Sequence, residues 1–458
     1  MNNVMKNLLL SEYLLILFLI VLFLVTGCAK YLDAVPDKSL AVPNSVADYQ
    51  ALLENEIMFT DMPALAEIGT DDIYLPDALW AGQPIFVRDA YHWSKDLNEG
   101  VTSLNWNNPY KKIYYANLVL DGVDKLKNKH NATDIQVLKG WALFCRAHAF
   151  YDLQEIFGQP YRPASANNDL GIPLRLNTDL QEKTPRATVE TTFQQIVKDL
   201  EQAIPLLPDG VSKTDRSKPG KPAAYALLAR VCLTMQNYDR AVLNADRCLL
   251  YDNQLVDYNT LNATVRAPFS PLIDEVIYNA VQISYSTRSW QIGQDFYQLY
   301  AADDLRKTLF FTVDPVAKTV VFKGFYNAVL AGFDGLATDE VYLIKAECEA
   351  RLGHDAIALD ALNTLLLKRF KTGEYVPYST GSVSDVLSLI LLERRKECLF
   401  RNLRWSDLRR LNQDVRFAKT LTRMVDGQRY QLPPNNPRYT LPIPDDEIRA
   451  NKIQQNIR

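Results

Sequence analysis

Small residues recur at fixed intervals in one stretch of this 458-residue chain, and they constrain its fold more than any other feature. Ala229 and Cys232 are followed, past a turn marked by Tyr238, by Ala241, Ala245 and Cys248. Side chains this small let two helix backbones approach closely, so residues 222–252 predict an antiparallel helix pair. Residues 341–368 repeat the phasing, with Ala346, then Gly353 in the turn, then Ala358 and Leu362.

Such pairs are of the tetratricopeptide type, whose period is about 34 residues. Ala241 and Ala358 are too far apart for neighbouring repeats, so other structure interrupts them and no regular solenoid is expected. The rest of the periodicity is also helical, and the fold class is mainly α. Ser45-x-x-Asp48 predicts the capped start of one helix. Tyr110 to Leu126 predicts another. Thr133-x-x-Gln136 predicts the capping box of a third, with Ile135, Leu138, Ala142, Cys145, Ala149, Leu153 and Ile156 on one stripe. A second stripe of Trp141, Phe144, His148 and Tyr151 runs beside it, so this helix is buried on much of its circumference. Thr188 to Leu207 is amphipathic, and Ser384 to Leu411 predicts one long helix with an ion-pair spacing between Glu397 and Arg401. Lys318 to Phe322 alternates like a short strand. Residues 69–106 and 253–335 lose the helical pattern. The first holds Asp71, Asp72, Tyr74, Trp80, Tyr91, Trp93 and Trp106; the second holds Tyr285, Trp290, Phe296, Tyr297 and Tyr300. Long irregular stretches are uncommon inside a compact domain and are often functional.

The amino terminus sets location. Tyr13 to Val25 is an apolar run too short to span a bilayer comfortably, preceded by Lys6, which is the shape of a secretory signal. Val25-Thr26-Gly27-Cys28 resembles a bacterial lipobox. That reading has residues 1–27 removed and Cys28 carrying lipid, with several acyl chains (palmitate among them) holding the protein to the membrane. Residues 28–44, with Pro36 and Pro43, are a leash.

Composition excludes some functions. The net charge of −4 offers no basic footprint for nucleic acid. The arginine-rich run 394–410 alternates with Glu397 and Asp407 and reads as an ion-paired helix face. No phosphate loop and no His-Glu-x-x-His is present. His148 lies on an apolar face and reads as a core histidine. Asp71-Asp72 lacks the oxygen density a calcium ion needs, so a turn and capping role is expected, and no metal or other cofactor is assigned. With 54 acidic residues, a glycosidase pair of carboxylates is always imaginable and carries no signal. The five cysteines after Cys28 fall in helical segments and read as buried thiols, with Cys232–Cys248 the one pair open to bridging.

Several ordered pieces resemble the SusD/RagB family, the surface lipoproteins of Bacteroidetes nutrient-uptake systems. They are Tyr31-Leu32-Asp33 after the lipobox, Arg146-Ala147-His148-Ala149-Phe150 to Phe157-Gly158, and Arg186-Ala187-Thr188-Val189 to Leu207-Pro208. Glu393-Arg394-Arg395-Lys396-Glu397 with Arg404-Trp405-Ser406-Asp407-Leu408-Arg409-Arg410, and the tail Pro442-Ile443-Pro444 to Asn456, complete the set. The chain departs from the family at Arg401-Asn402, where Glu-Gly is usual. The resemblance implies a SusD-like domain over 28–458, with tetratricopeptide-like helices within 110–252 and 340–411 supporting a loop-rich irregular half. Ligand-facing loops are then expected within 69–106 and 284–335. It also implies a binding protein rather than an enzyme, seated as a lid on a SusC-type TonB-dependent outer-membrane barrel and capturing glycans or, in some members, peptides. A surface glycosidase or protease and a pure scaffold are the rival readings. Sugar rings stack on aromatic planes, so the expected ligand residues are Trp290 with Tyr285 and Tyr297, then Trp80 and Trp93.

Overall fold

The computed structural model describes residues 43–97, 102–126, 131–270, 273–285, 291–326 and 332–458. Cys28 and Trp290 lie outside the described residues. From Ser45 to Arg458 the chain forms one unit. Its first helix, α1 (Val46–Leu53), has the capping box expected at Ser45 and Asp48, each side chain taking the other's backbone N–H. Two short helices follow, α2 (Asp77–Ala81) and α3 (Ile85–Tyr91), so the stretch 69–106 is less irregular than its sequence. Each is too short to show a stripe, which needs about three turns.

Helix α4 (Leu104–Gly122) starts six residues before the expected Tyr110, with Pro109 inside its second turn. A proline is disfavoured in a helix interior but tolerated near its first turn, and the apolar spacing that marks the helix begins only at Tyr110. Helix α5 (Ala132–Phe157) is capped by Asn131, whose side chain accepts from Thr133 N–H, rather than by Thr133. From Gly140 onward α5 is buried on every side, as its two stripes require. Arg146 is held there by Asp199 at 2.7 and 2.8 Å and by Asn117 at 2.9 Å. Then come α6 (Val189–Ala203), α7 (Lys221–Thr234), α8 (Tyr238–Tyr251), α9 (Thr338–Arg351) and α10 (Asp355–Leu366). Ala229, Cys232, Ala241, Ala245 and Cys248 are all buried where α7 meets α8. All five described cysteines are buried free thiols, Cys232 and Cys248 included. Although residues 252–337 separate α8 from α9 in sequence, the two helices pack directly on each other. The interruption is in the chain and not in the helix stack.

The inserted residues build the irregular half from short pairings. Val276–Tyr278 pairs with Leu336–Ala337, and Phe311–Val313 pairs with Val320–Phe322, the strand expected near Lys318. Isolated bridges join Met62 to Gln282, Tyr74 to Gln291 and Gln291 to Val321. The two aromatic-rich stretches therefore meet along their backbones.

The predicted helix Ser384–Leu411 is two helices, α11 (Val386–Glu397) and α12 (Arg404–Leu411). Phe400 and Asn402 break it with φ of 57° and 59°. Its charges do not face solvent. Glu397 accepts from Arg306 at 2.9 Å and Arg369 at 2.7 Å, not from Arg401, which instead grips Asp339 at 2.7 and 2.8 Å. Arg394 and Arg410 hold Asp407. Arg395 reaches Asp72 at 2.8 Å and Arg404 reaches Asp71 at 2.8 Å. The acidic turn thus serves as an ion-pair anchor rather than a cap. Buried charges persist only when paired and hydrogen-bonded, and this set ties α11 and α12 to both halves.

Candidate functional site

The meeting of the two aromatic stretches places a ledge of half-exposed rings on α2, α3 and the segments beside them. Tyr74 exchanges backbone hydrogen bonds with Gln291 at 2.7 and 3.0 Å, which fixes its position while its side chain stays 49% exposed. Two residues on, Pro76 leads into α2, which carries Trp80. The Trp80 indole N–H donates to the Arg88 carbonyl at 3.3 Å, and the Arg88 guanidinium lies 5.4 Å from its ring centre. His92 follows at 5.9 Å from Trp80 and stacks on Tyr430 at 4.7 Å. Burial lowers the pKa of His92 while Asp89, 3.6 Å away, opposes it. A neutral ring suits stacking.

Tyr285 reaches α3 through Phe86, edge to face at 5.8 Å. Its hydroxyl accepts from the Asn105 amide at 2.6 Å, and burial pushes its pKa up to about 12. Ile85 stands beside Phe86, 61% exposed. A fixed set of aromatic faces with exposed apolar neighbours offers stacking area to a sugar ring or a peptide side chain.

The expected ligand residues divide. Trp80 and Tyr285 both pack on the ledge. Tyr297 is half-buried but sits apart, against Phe311 at 5.4 Å and beneath Lys307 at 5.0 Å. Trp93 is a correction. It is 2% exposed, its indole N–H donates to Gly69 O at 2.9 Å, and the Arg423 guanidinium lies between it and Tyr91. A ring so enclosed serves packing. Tyr74, Phe86 and Tyr430 were not among the expected site residues. Tyr74 lay in a flagged stretch, but nothing local to Tyr430 in its hairpin (Leu421–Val425 with Gln428–Leu432) points to His92.

Other sites bear on the choice. A groove of about 500 Å³ runs between α4, the loop after Pro173 and the short helix Asp445–Asn451. Two of its wall residues are already engaged: Tyr110 donates to Pro173 O, and Asn117 to Arg175 O and Asn177 O. Two acidic clusters have metal-like spacing, His148 with Asp152 and Asp334, and Glu275 with Asp339 and Glu397. Protein cations stand at both: Lys112 and Arg230 at the first, Arg369 and Arg401 at the second. Burial holds His148 well below its usual pKa, as befits a neutral core histidine.

The model of a family described as "Starch-binding associating with outer membrane" matches residues 30–233, and that of the SusD family matches residues 338–457. A SusD-like protein of Formosa agariphila is 24% identical over 441 residues, covering 80% of this chain and 81% of the relative. Among solved structures, a SusD superfamily protein from Bacteroides thetaiotaomicron superposes with a TM-score of 0.73 at 21% identity, covering 90% of this chain and 100% of the other. A SusD-like carbohydrate binding protein from Bacteroides vulgatus gives 0.70 at 21% identity, over 90% and 97% of the two chains. Sequence signatures, mainly helical architecture and fold agree: the chain belongs to the SusD family.

Proposed function

We propose that this protein captures oligosaccharides at the cell surface, without turning them over, and passes them to a SusC-type TonB-dependent barrel. The observation that carries the reading is the ledge: Tyr74, fixed by its backbone yet half exposed, leads into α2, where Trp80 packs on His92, while Tyr285 packs on Phe86 of α3. The family description, which couples starch binding with the outer membrane, supports both substrate class and location. Lipidation at Cys28 supplies the anchor. The barrel contact is broad, in the range above 2,000 Å² of long-lived assemblies, and mild detergent extraction should bring both proteins out together.

The test is calorimetric titration with a panel of neutral oligosaccharides and short peptides. A stacked ring contributes roughly 1–1.5 kcal/mol, so Tyr74→Ala and Trp80→Ala should each weaken glycan binding about tenfold. Tyr74→Ala should leave the thermal midpoint unchanged, because its side chain is not part of the core. Glycan affinity unchanged in both variants removes the ledge from consideration. Binding of peptides alone transfers the site to peptide import, and release of new reducing ends refutes a binding-only role.

A further inference from the structure

A second concavity, of about 240 Å³, opens between α12, the loop after Gly158 and the segment 435–440. Its lining includes two arginines, Arg162 and Arg409, and no carboxylate. Arg409 is 2% exposed, and its one protein hydrogen bond runs from Nη2 to Gly158 O at 2.7 Å. Its Nε and Nη1 have no partner.

Among the described residues, buried arginines otherwise meet a counter-charge or a full set of carbonyls. Arg146, Arg230, Arg306, Arg369, Arg394, Arg401 and Arg410 each meet a carboxylate within 3 Å. Arg216 lies 3.9 Å from Asp274. Arg423 donates to the carbonyls of Ile68, Tyr91 and Thr70. Arg409 has neither. Burial lowers its pKa, opposed most by Glu155, which is not within ion-pair distance and does not line the cavity. A guanidinium stays charged even so, and a buried charge without a partner is costly.

Two further buried donors share the lining. Asn412 and Tyr439 both line the cavity, and their side chains face each other, the amide nitrogen and the hydroxyl standing beyond ordinary hydrogen-bond length. Gln159, Asn435 and Asn456 add amides to the lining; Asn435 donates to Asn412 O at 2.7 Å and Asn456 to Phe157 O and Leu441 O at 2.8 and 2.7 Å, which leaves their carbonyl oxygens to accept. A carboxylate takes two parallel N–H bonds from one guanidinium, and amides suit ring hydroxyls because they both donate and accept. The volume falls below the 300–1,000 Å³ of sites for larger ligands, so it suits a single ring.

We infer that this cavity is a binding site for one carboxylate-bearing sugar unit, a hexuronate, whose carboxylate pairs with Arg409 and Tyr439 while its hydroxyls face the amide rim. The site is separate from the aromatic ledge and does not depend on it.

Titration of the full-length protein in detergent with glucuronate, glucose, acetate and sulfate tests this. Glucuronate should bind at least tenfold more tightly than glucose, acetate or sulfate. Tyr439→Phe removes a hydroxyl whose only protein neighbour is the Asn412 amide at long range, so it should weaken glucuronate several-fold with little change in thermal midpoint. Arg409→Gln should abolish binding and Arg409→Lys should retain part of it. Trp80→Ala should leave glucuronate binding untouched, which separates this site from the ledge. Equal affinity for acetate, sulfate and glucuronate makes the cavity a general anion site and overturns the sugar assignment. So does glucuronate binding that Tyr439→Phe leaves unaltered, a result that stands even if Arg409→Gln fails to fold.

Discussion

Asp407 and Asp339 are two of the carboxylates on which acid stability turns; Asp71, Asp304 and Glu347 are also held below their ordinary values by neighbouring arginines. Burial pushes the pKa up, but Arg394 with Arg410 at Asp407, and Arg401 with Arg369 at Asp339, pull it further down, to about 2. The ordinary value is 3.8. A folded pKa below the unfolded one gives stability that is fully present above about pH 4 and is lost as pH falls towards 2. The two groups together carry on the order of 5 kcal/mol of this effect, at about 1.4 kcal/mol per pH unit and proton. Urea unfolding at pH 6, 4 and 3 should show the midpoint holding between the first two and dropping at the third. Asp407→Asn should cost about 3 kcal/mol at pH 6, because it leaves Arg394 without its nearest partner. Its deficit against wild type should shrink as pH falls; a deficit constant from pH 6 to pH 3 contradicts the assignment.

Between α11 and α12 the backbone turns through two left-handed residues, and Asn402 is the informative one. Its φ is 59° and its side-chain nitrogen donates to Pro63 O at 2.7 Å. Asparagine tolerates this region better than other residues with a Cβ, and glycine adopts it freely. Asn402→Gly should therefore cost about 1 kcal/mol for the lost hydrogen bond, and Asn402→Ala should cost at least 1 kcal/mol more for the strained backbone. Equal midpoints for the two variants would mean that the left-handed turn is not what positions α12. This junction also shows where sequence reading stops. The helix pairs were legible because the small residues that join them lie within about thirty positions of one another. The break at Phe400 and Asn402 was not, because helical spacing continues through it. Nor were the ion partners: Glu397 has a suitable arginine four residues on, yet its charge is met by Arg306 and Arg369 from other elements. On the ledge, Trp80 stood out as an aromatic in a stretch without periodicity. Trp93 stood out equally, and only packing separates the ring that Arg423 covers from the one left half open.

At the scale of the whole molecule, attachment and order of assembly matter most. Cys28→Ala should abolish incorporation of labelled palmitate and release the protein from the outer-membrane fraction; retained label and retained sedimentation would refute anchoring at Cys28. The pairs Asp72–Arg395 and Asp71–Arg404 span 323 and 333 residues. Translation delivers one end of the chain long before the other. At about 5–20 residues per second, Asp71 waits roughly 20–70 s for Arg404. Until then the acidic turn and the segment around it have no counter-ions and cannot close into their final place. On the proposed route to the cell surface, the polypeptide would have to remain threadable through a translocation pore while it is being made. Here that delay is written into the fold, because the residues that lock the amino-terminal portion are among the last to leave the ribosome.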